Sequence, residues 1–175
     1  MSAQGSEKEA QAVTKGLIVR RLDLGNAGDA EAMIELLDHY ARDPMGGGSG
    51  LSAFVKSELP ERLRALPNYY GGLALLGGEP VGLINCFIGF STFAARPLLN
   101  VHDLIVREGH RGAGIGQVLL GWAEETARQR GCCKLTLEVL SANALAMATY
   151  ERAGFRPYVL DPAAGQALLL EKKLG

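Results

Sequence analysis

Two groups of residues in this 175-residue chain have types and spacings suited to chemistry. The first is His110-Arg111-Gly112-Ala113-Gly114-Ile115-Gly116-Gln117. It lies between Leu99 to Val106, an apolar run rich in branched residues, and a segment with Ile115, Val118, Leu119, Trp122 and Ala123 at helical spacing. Glycines at such a strand-to-helix junction let backbone N–H groups come close to a ligand. The helix N-terminus adds unpaired donors and partial positive charge. That combination suits a phosphate or pyrophosphate. The second group is Asn143 and Tyr150, an amide and a phenol seven residues apart, which two helical turns carry to one face. A phenol can donate a proton to a leaving thiolate. Taken singly, the glycines read as a tight turn, Asn143 as an N-cap and Tyr150 as a packing residue.

The elements that must position these groups are legible in outline. Residues 1–15 are polar and read as a disordered tail, followed by one domain over 16–175. Leu17 to Leu22 reads as a strand with two exposed arginines. Asn26 to Asp29 supplies cap chemistry for a helix presenting Met33, Leu36, Leu37 and Tyr40 on one face. Pro44 to Gly50 reads as a mobile loop without regular structure, and Leu51 to Leu66 as a helix broken or kinked at Pro60. Tyr69 to Leu76 and Val81 to Phe90 form an expected hairpin about Gly77-Gly78-Glu79-Pro80, and Asn100 to Val106 continues the meander. The helix after the glycine loop should stop at Gly131. Lys134 to Val139 follows as a strand parallel to the one ending at Val106, through a right-handed crossover. Asn143 to Ala153 is a further helix, and Arg156 to Leu160 with Ala167 to Lys172 are expected to close the chain as two strands. The fold class is therefore mixed α/β: an antiparallel N-terminal meander, a central parallel strand pair and about four flanking helices.

Composition narrows the function. A net charge of −1 offers no polyanion-binding surface, so nucleic acid is not expected as a partner. No apolar stretch is long enough to span a bilayer and no signal-peptide core is present, so no membrane partner is expected. Cys86, Cys132 and Cys133 lie in apolar runs with no metal-ligand spacing. They read as reduced thiols of a cytoplasmic protein, without a metal site. The loop lacks the Gly-x-Gly-x-x-Gly pattern and the repeated βαβ context of a dinucleotide site, and lacks the Gly-Lys-[Ser/Thr] of a P-loop.

Together the two groups resemble the GCN5-related N-acetyltransferase superfamily. Arg111-Gly112-Ala113-Gly114-Ile115-Gly116 matches its Arg/Gln-x-x-Gly-x-Gly/Ala signature. Leu137-Glu138-Val139, Asn143 and Ala146 to Phe155 match its downstream part, and the resemblance covers roughly residues 17 to 172. It implies acetyl-CoA as donor, with the pantetheine arm along Leu104, Ile105 and Val106, splayed from the following strand. The pyrophosphate would lie on the amides of Arg111, Gly112, Ala113, Gly114, Ile115, Gly116 and Gln117. Asn143 would contact the donor and Tyr150 would protonate the departing thiolate. A backbone N–H near Leu104 or Ile105 would stabilise the oxyanion. The protein would be a homodimer, as members often are.

An attacking amine must lose a proton, and His102, Asp103, Glu138 or a water are the candidate bases. Histidine is the side-chain type that titrates near neutrality. Simple alternation puts His102 on the face of Leu104 and Val106, with Asp103 on the opposite face. Glu138 falls within the expected parallel strand. Residues 81–106 and Cys132-Cys133 resemble the diamine and thialysine acetyltransferases, which typically carry Glu-Asp where this chain has His102-Asp103. The acceptor implied is a small primary amine, a polyamine or an amino-acid-like amine. A protein lysine or N-terminus, and a non-catalytic acetyl-CoA-binding module, are the alternatives. In the superfamily the acceptor cleft forms around the loop corresponding to Pro44 to Gly50. Tyr69, Tyr70 and Phe90 line the acceptor side or fill the core, and core filling is the reading taken.

Overall fold

The computed structural model describes residues 16–161, 163, 165 and 167–174, and the expected tail lies outside them. The chain divides into two compact units, Met1–Leu137 and Glu138–Gly175. In the first, β1 (Leu17–Arg21), α1 (Ala27–Ala41), α2 (Ala53–Arg64), β2 (Tyr69–Leu76), β3 (Glu79–Ser91), β4 (Arg96–Val106), α3 (Ile115–Gln129) and β5 (Leu135–Leu137) follow in order. The sheet order is β1-β2-β3-β4-β5, antiparallel throughout except for the parallel β4–β5 pair. This is the mixed α/β architecture expected.

The β2–β3 hairpin closes as Leu76 pairs with Glu79, leaving Gly77 and Gly78 at φ 60° and 93°. Two consecutive positive φ angles define the turn that matches strand twist, and glycine adopts them without strain. Asn26 caps α1 by accepting from the Asp29 N–H at 3.1 Å. Buried Asp29 accepts both Arg20 guanidinium nitrogens at 2.6 Å, and that hydrogen-bonded pairing holds its carboxyl below the usual range. Arg20 is thus committed to an ion pair rather than simply displayed to solvent.

Each face of the sheet carries a helix. Met33 and Leu36 of α1 pack with Leu73, Leu83 and Ile105 on one face. On the other, Ile115, Leu119, Leu120, Ala123 and Ala127 of α3 are buried, and Gly82 faces Ile115 and Leu119. A Cβ on Gly72 would lie 2.8 Å from Trp122 Cε3 and 2.9 Å from Ile84 Cγ2, so glycine admits the indole ring there. Val118, expected on the packed face, is 42% exposed. Phe90, expected in the core, is 63% exposed near the end of β3.

Three further expectations are corrected. Pro60 does not break α2; one N–H is lost within a helix capped by Ser52 and anchored by buried Leu63. Residues 44–50 are not devoid of regular structure: a 3-10 turn, Pro44–Gly46, is capped by Asp43. The described parts of Arg156 to Leu160 and Ala167 to Lys172 form no strand, because no ladder partner for them is present among the described residues. Among the described residues of the second unit one α-helix forms, α4 (Ala144–Arg152). No described helix is long and apolar enough to cross a membrane.

Candidate active site

β5 accompanies β4 only from Leu99 to Val101, opposite Leu135 to Leu137. Beyond Val101, β4 runs on to Val106 paired with β3 alone in the described sheet. The Arg107 N–H donates to Val81 O at 2.9 Å, toward β3. By alternation the Ile105 main chain also faces β3, while Leu104 and Val106 direct theirs to the open edge. Ile105 is a core residue, and Val106 O accepts from Arg111 Nε at 3.3 Å. An edge with no described strand paired to Leu104 and Val106 fits an extended ligand carrying amides.

The glycine loop follows this edge. Gly112 and Gly114 stand at φ 81° and 83°, and a Cβ on either would meet nothing within 4 Å. Gly114 is the N-cap of α3 and provides no side-chain cap. No hydrogen bond runs from the N–H of Gly112, Ala113, Gly114, Ile115 or Gly116 to another described residue. Only from Gln117 onward do amides bond back, to Gly114 O. Five donors in succession, at the positive end of a 15-residue helix, fit a pyrophosphate. Nδ1 of His110 is buried with no hydrogen-bond partner among the described residues.

His102 and Asp103 lie where the β3–β4 register slips. Val101 pairs with Cys86 and Asp103 with Asn85, so His102 is an extra residue in β4. Such a bulge restarts the alternation. Both side chains therefore share one face, correcting the expectation that they diverge and that His102 keeps parity with Leu104. Exposed His102 meets Phe87 edge-on at 5.5 Å, and Phe87 lies 5.5 Å from Tyr69. Asp103 Oδ2 accepts from Asn85 Nδ2 at 2.9 Å, and Asn85 Oδ1 accepts from the Tyr69 hydroxyl at 2.7 Å. Burial, with Asp103 adding, pushes the Tyr69 phenol up, so it stays a donor. Burial, again with Asp103, raises the Cys86 thiol to about 12, leaving a protonated packing residue. The sequence offers Tyr69 as core or acceptor lining and gives no reading for Asn85. Their one signal is a lone amide in the apolar run Val81 to Phe90.

Helix α1 and the following loop reach the glycine loop. Arg111 pairs with Asp43 at 3.0 Å, Arg107 with Glu35 at 2.9 Å, and the Glu108 N–H approaches His39 Nε2 at 3.4 Å. Tyr40 donates to Met45 O at 3.2 Å, and burial, then Asp103 and Asp43, raises its phenol.

Within the second unit, Asn143 caps α4 by accepting from the Ala146 N–H at 3.1 Å. Tyr150, seven residues on, packs edge-on against Phe155 at 6.0 Å. Both therefore have local structural roles. Glu138 follows β5 rather than lying within it, correcting its expected place inside the strand.

Comparison with known proteins adds a family. The model of the Acetyltransferase (GNAT) family matches residues 31–155. Streptothricin acetyltransferase of Streptomyces lavendulae is 42% identical over 85 residues, 49% of this chain and 45% of that protein. Aminoalkylphosphonate N-acetyltransferase of Salmonella typhimurium is 43% identical over 65 residues, 37% of this chain and 42% of that one. Thialysine N-epsilon-acetyltransferase of Caenorhabditis elegans is 30% identical over 86 residues, 49% and 53% respectively. The matches span about half the length of these curated relatives. A transcriptional regulator from Bacillus halodurans C-125 superposes with TM-score 0.72 at 23% identity, over 89% of this chain and 99% of that one. A soil-metagenome aminoglycoside acetyltransferase in complex with sisomicin gives 0.73 at 17%, over 93% and 99%. At these identities the two structures show the fold.

Proposed function

The chain belongs to the GNAT acetyltransferase family, and from that premise we propose that it moves an acetyl group from acetyl-CoA directly to a small-molecule primary amine. The observation that carries this reading is the run of unbonded amides, Gly112 to Gly116, next to the open β4 edge at Leu104 and Val106. The relatives named for streptothricin, an aminoalkylphosphonate and thialysine support an amine acceptor.

Acetyl-CoA, when bound, supplies the acyl group as an activated thioester. Arg111 to Gln117 hold its pyrophosphate, Leu104 and Val106 pair with its pantetheine amides, and Asn143 adds a polar contact. The Leu104 N–H is the donor offered to the developing oxyanion, a type whose removal costs ~3 kcal/mol elsewhere. His102 takes the proton from the acceptor nitrogen. The carbon–nitrogen bond forms, the carbon–sulfur bond breaks, and Tyr150 gives the leaving sulfur its proton. The free thiols of Cys86, Cys132 and Cys133 support a reducing, cytoplasmic setting. A homodimer is the expected assembly, and light scattering checks it.

The test is release of free thiol from acetyl-CoA across a panel of amines. Release with small amines, lost in Tyr150→Phe while CoA still binds, supports the reading. Tight CoA binding with no release for any amine or peptide overturns it in favour of a binding module.

A further inference from the structure

We propose that Cys132 and Cys133 form a two-thiolate site for a soft, thiophilic ligand, and that a trivalent organic arsenical is the class that fits. The site does not depend on the acetyltransferase reading. It lies beyond the C-terminal end of α3, and that 15-residue helix sets it about 20 Å from the glycine loop.

The turn that carries the pair is fixed by its backbone. Gly131, at φ 67°, follows the C-cap of α3, and its N–H donates to Arg128 O at 3.0 Å. The Cys132 N–H donates to Ala127 O at 2.9 Å, which completes a Schellman closure of the helix. The Cys133 N–H donates to Pro97 O at 2.8 Å, and Lys134 O accepts from the Leu99 N–H at 3.0 Å, so pairing with β4 begins at once. In an extended strand, consecutive side chains would point to opposite faces. Here the chain bends at Cys133, and both cysteines are half-buried between exposed Gly131 and Lys134. Burial, then the adjacent Cys133 thiol, push the Cys132 thiol up, while Arg96 pulls it the other way. The two thiols therefore feel each other. Arg96 is held at the turn, its Nη2 donating to Gly131 O at 3.1 Å.

Chemistry then selects the ligand. Both thiols are free. Consecutive Cα atoms stand about 3.8 Å apart across a trans peptide, whereas disulfides span roughly 4.4–6.8 Å, so a direct bond between the two sulfurs would be strained. A bridge of one large, soft atom spaces the sulfurs further apart and suits thiolates by its softness. Among the described residues no third metal-ligating side chain joins the pair, which leaves a tetrahedral zinc ion short of ligands. An arsenical R–As=O needs two thiolates only, because carbon holds the third position on arsenic. Two As–S bonds form, the As–O bond breaks, and the two thiol protons leave with that oxygen as water. Arsenic stays trivalent, so no oxidant or reductant is needed. Cys86 is the internal contrast: it is fully buried and alone, and burial pushes its thiol up to about 12.

Phenylarsine oxide, added to the reduced full-length protein, tests this. Intact mass should show one equivalent bound, and two of the three thiols should be lost to titration. Cys132→Ser and Cys133→Ser should each weaken binding by about 100-fold or more, because the second thiolate no longer closes the ring. Cys86→Ser should leave binding within about twofold. The peptide of residues 131–134 should bind roughly 10-fold more weakly than the protein, because the fold sets the turn beforehand. No addition to the native protein, or unchanged binding in either serine variant at 132 or 133, overturns the site. Equal affinity of peptide and protein overturns the part assigned to the turn.

Discussion

Two glycine-rich loops stand side by side in the first unit, and their backbones are used in opposite ways. In the loop after α1, Asp43 takes the amides: Met45 N–H donates to its side chain at 2.9 Å, and Gly46 and Gly48 donate to its carbonyl at 2.8 and 3.1 Å. The far end is tied down as Leu51 N–H donates to Asp38 at 2.7 Å. In the loop before α3, the amides of Gly112 to Gly116 are left open. Both contain glycines at positive φ, Gly47 and Gly48 in one, Gly112 and Gly114 in the other. Glycine content therefore does not make an anion site. What makes one is the lack of a local acceptor for the N–H groups, at the head of a helix. The Arg111–Asp43 ion pair joins the open loop to the closed one.

The comparison breaks most visibly at Gly114. A β-branched residue at φ 83° is strained by about 1–3 kcal/mol, and Gly114→Val should weaken CoA binding by roughly 10-fold or more in calorimetry, with the circular dichroism spectrum kept. Asp43→Asn preserves the cap on Met45 and frees Arg111. Because exposed pairs contribute about 0.2–1 kcal/mol, CoA should bind up to about fivefold tighter, with a steeper salt dependence; unchanged affinity would mean that Asp43 does not restrain Arg111.

Acid sharpens the contrast from the closed side. Hydrogen bonds from Lys56, then Arg42, lower Asp38 to about 2. An aspartate in the unfolded chain titrates near ~4, so the folded form binds fewer protons between these values. The Asp38 contribution is complete above pH ~4 and disappears as pH falls through about 2. Denaturant titrations from pH 2 to 6 should show this slope, and Asp38→Asn should flatten it. The smallest effect is expected for Gly47→Ala, a stability loss of about 1 kcal/mol from its φ of 115°, with CoA affinity untouched.

Local chemistry was readable wherever one residue type decides an outcome. The Gly77-Gly78 turn set the hairpin, Asn26 and Asn143 began their helices, and Gly131 followed the end of α3. The glycine loop was legible for the same reason. Elements decided by distant partners were not. Pro60 is tolerated because tertiary packing outweighs one lost hydrogen bond. Tandem leucines at 168–170 suggested a strand, yet pairing is a property of two segments. The slip at His102 has no glycine or proline to announce it, so alternation assigned His102 to the wrong face. The Tyr69–Asn85–Asp103 chain spans three strands and could be assembled only once their register was known.

That slip has a further consequence for how β4 tolerates change. The strand is read in two frames, with the junction at His102: before it Leu99 bonds toward β5, after it Arg107 bonds toward β3. Deleting the extra residue, His102, would merge the frames into one regular ladder, with Asp103, Leu104 and Ile105 still opposite Asn85, Ile84 and Leu83. Deleting Leu104 instead would turn Ile105 out of the core and Val106 inward. The bulge is thus the one place in this half of β4 where a residue can be lost without moving the core or the open edge.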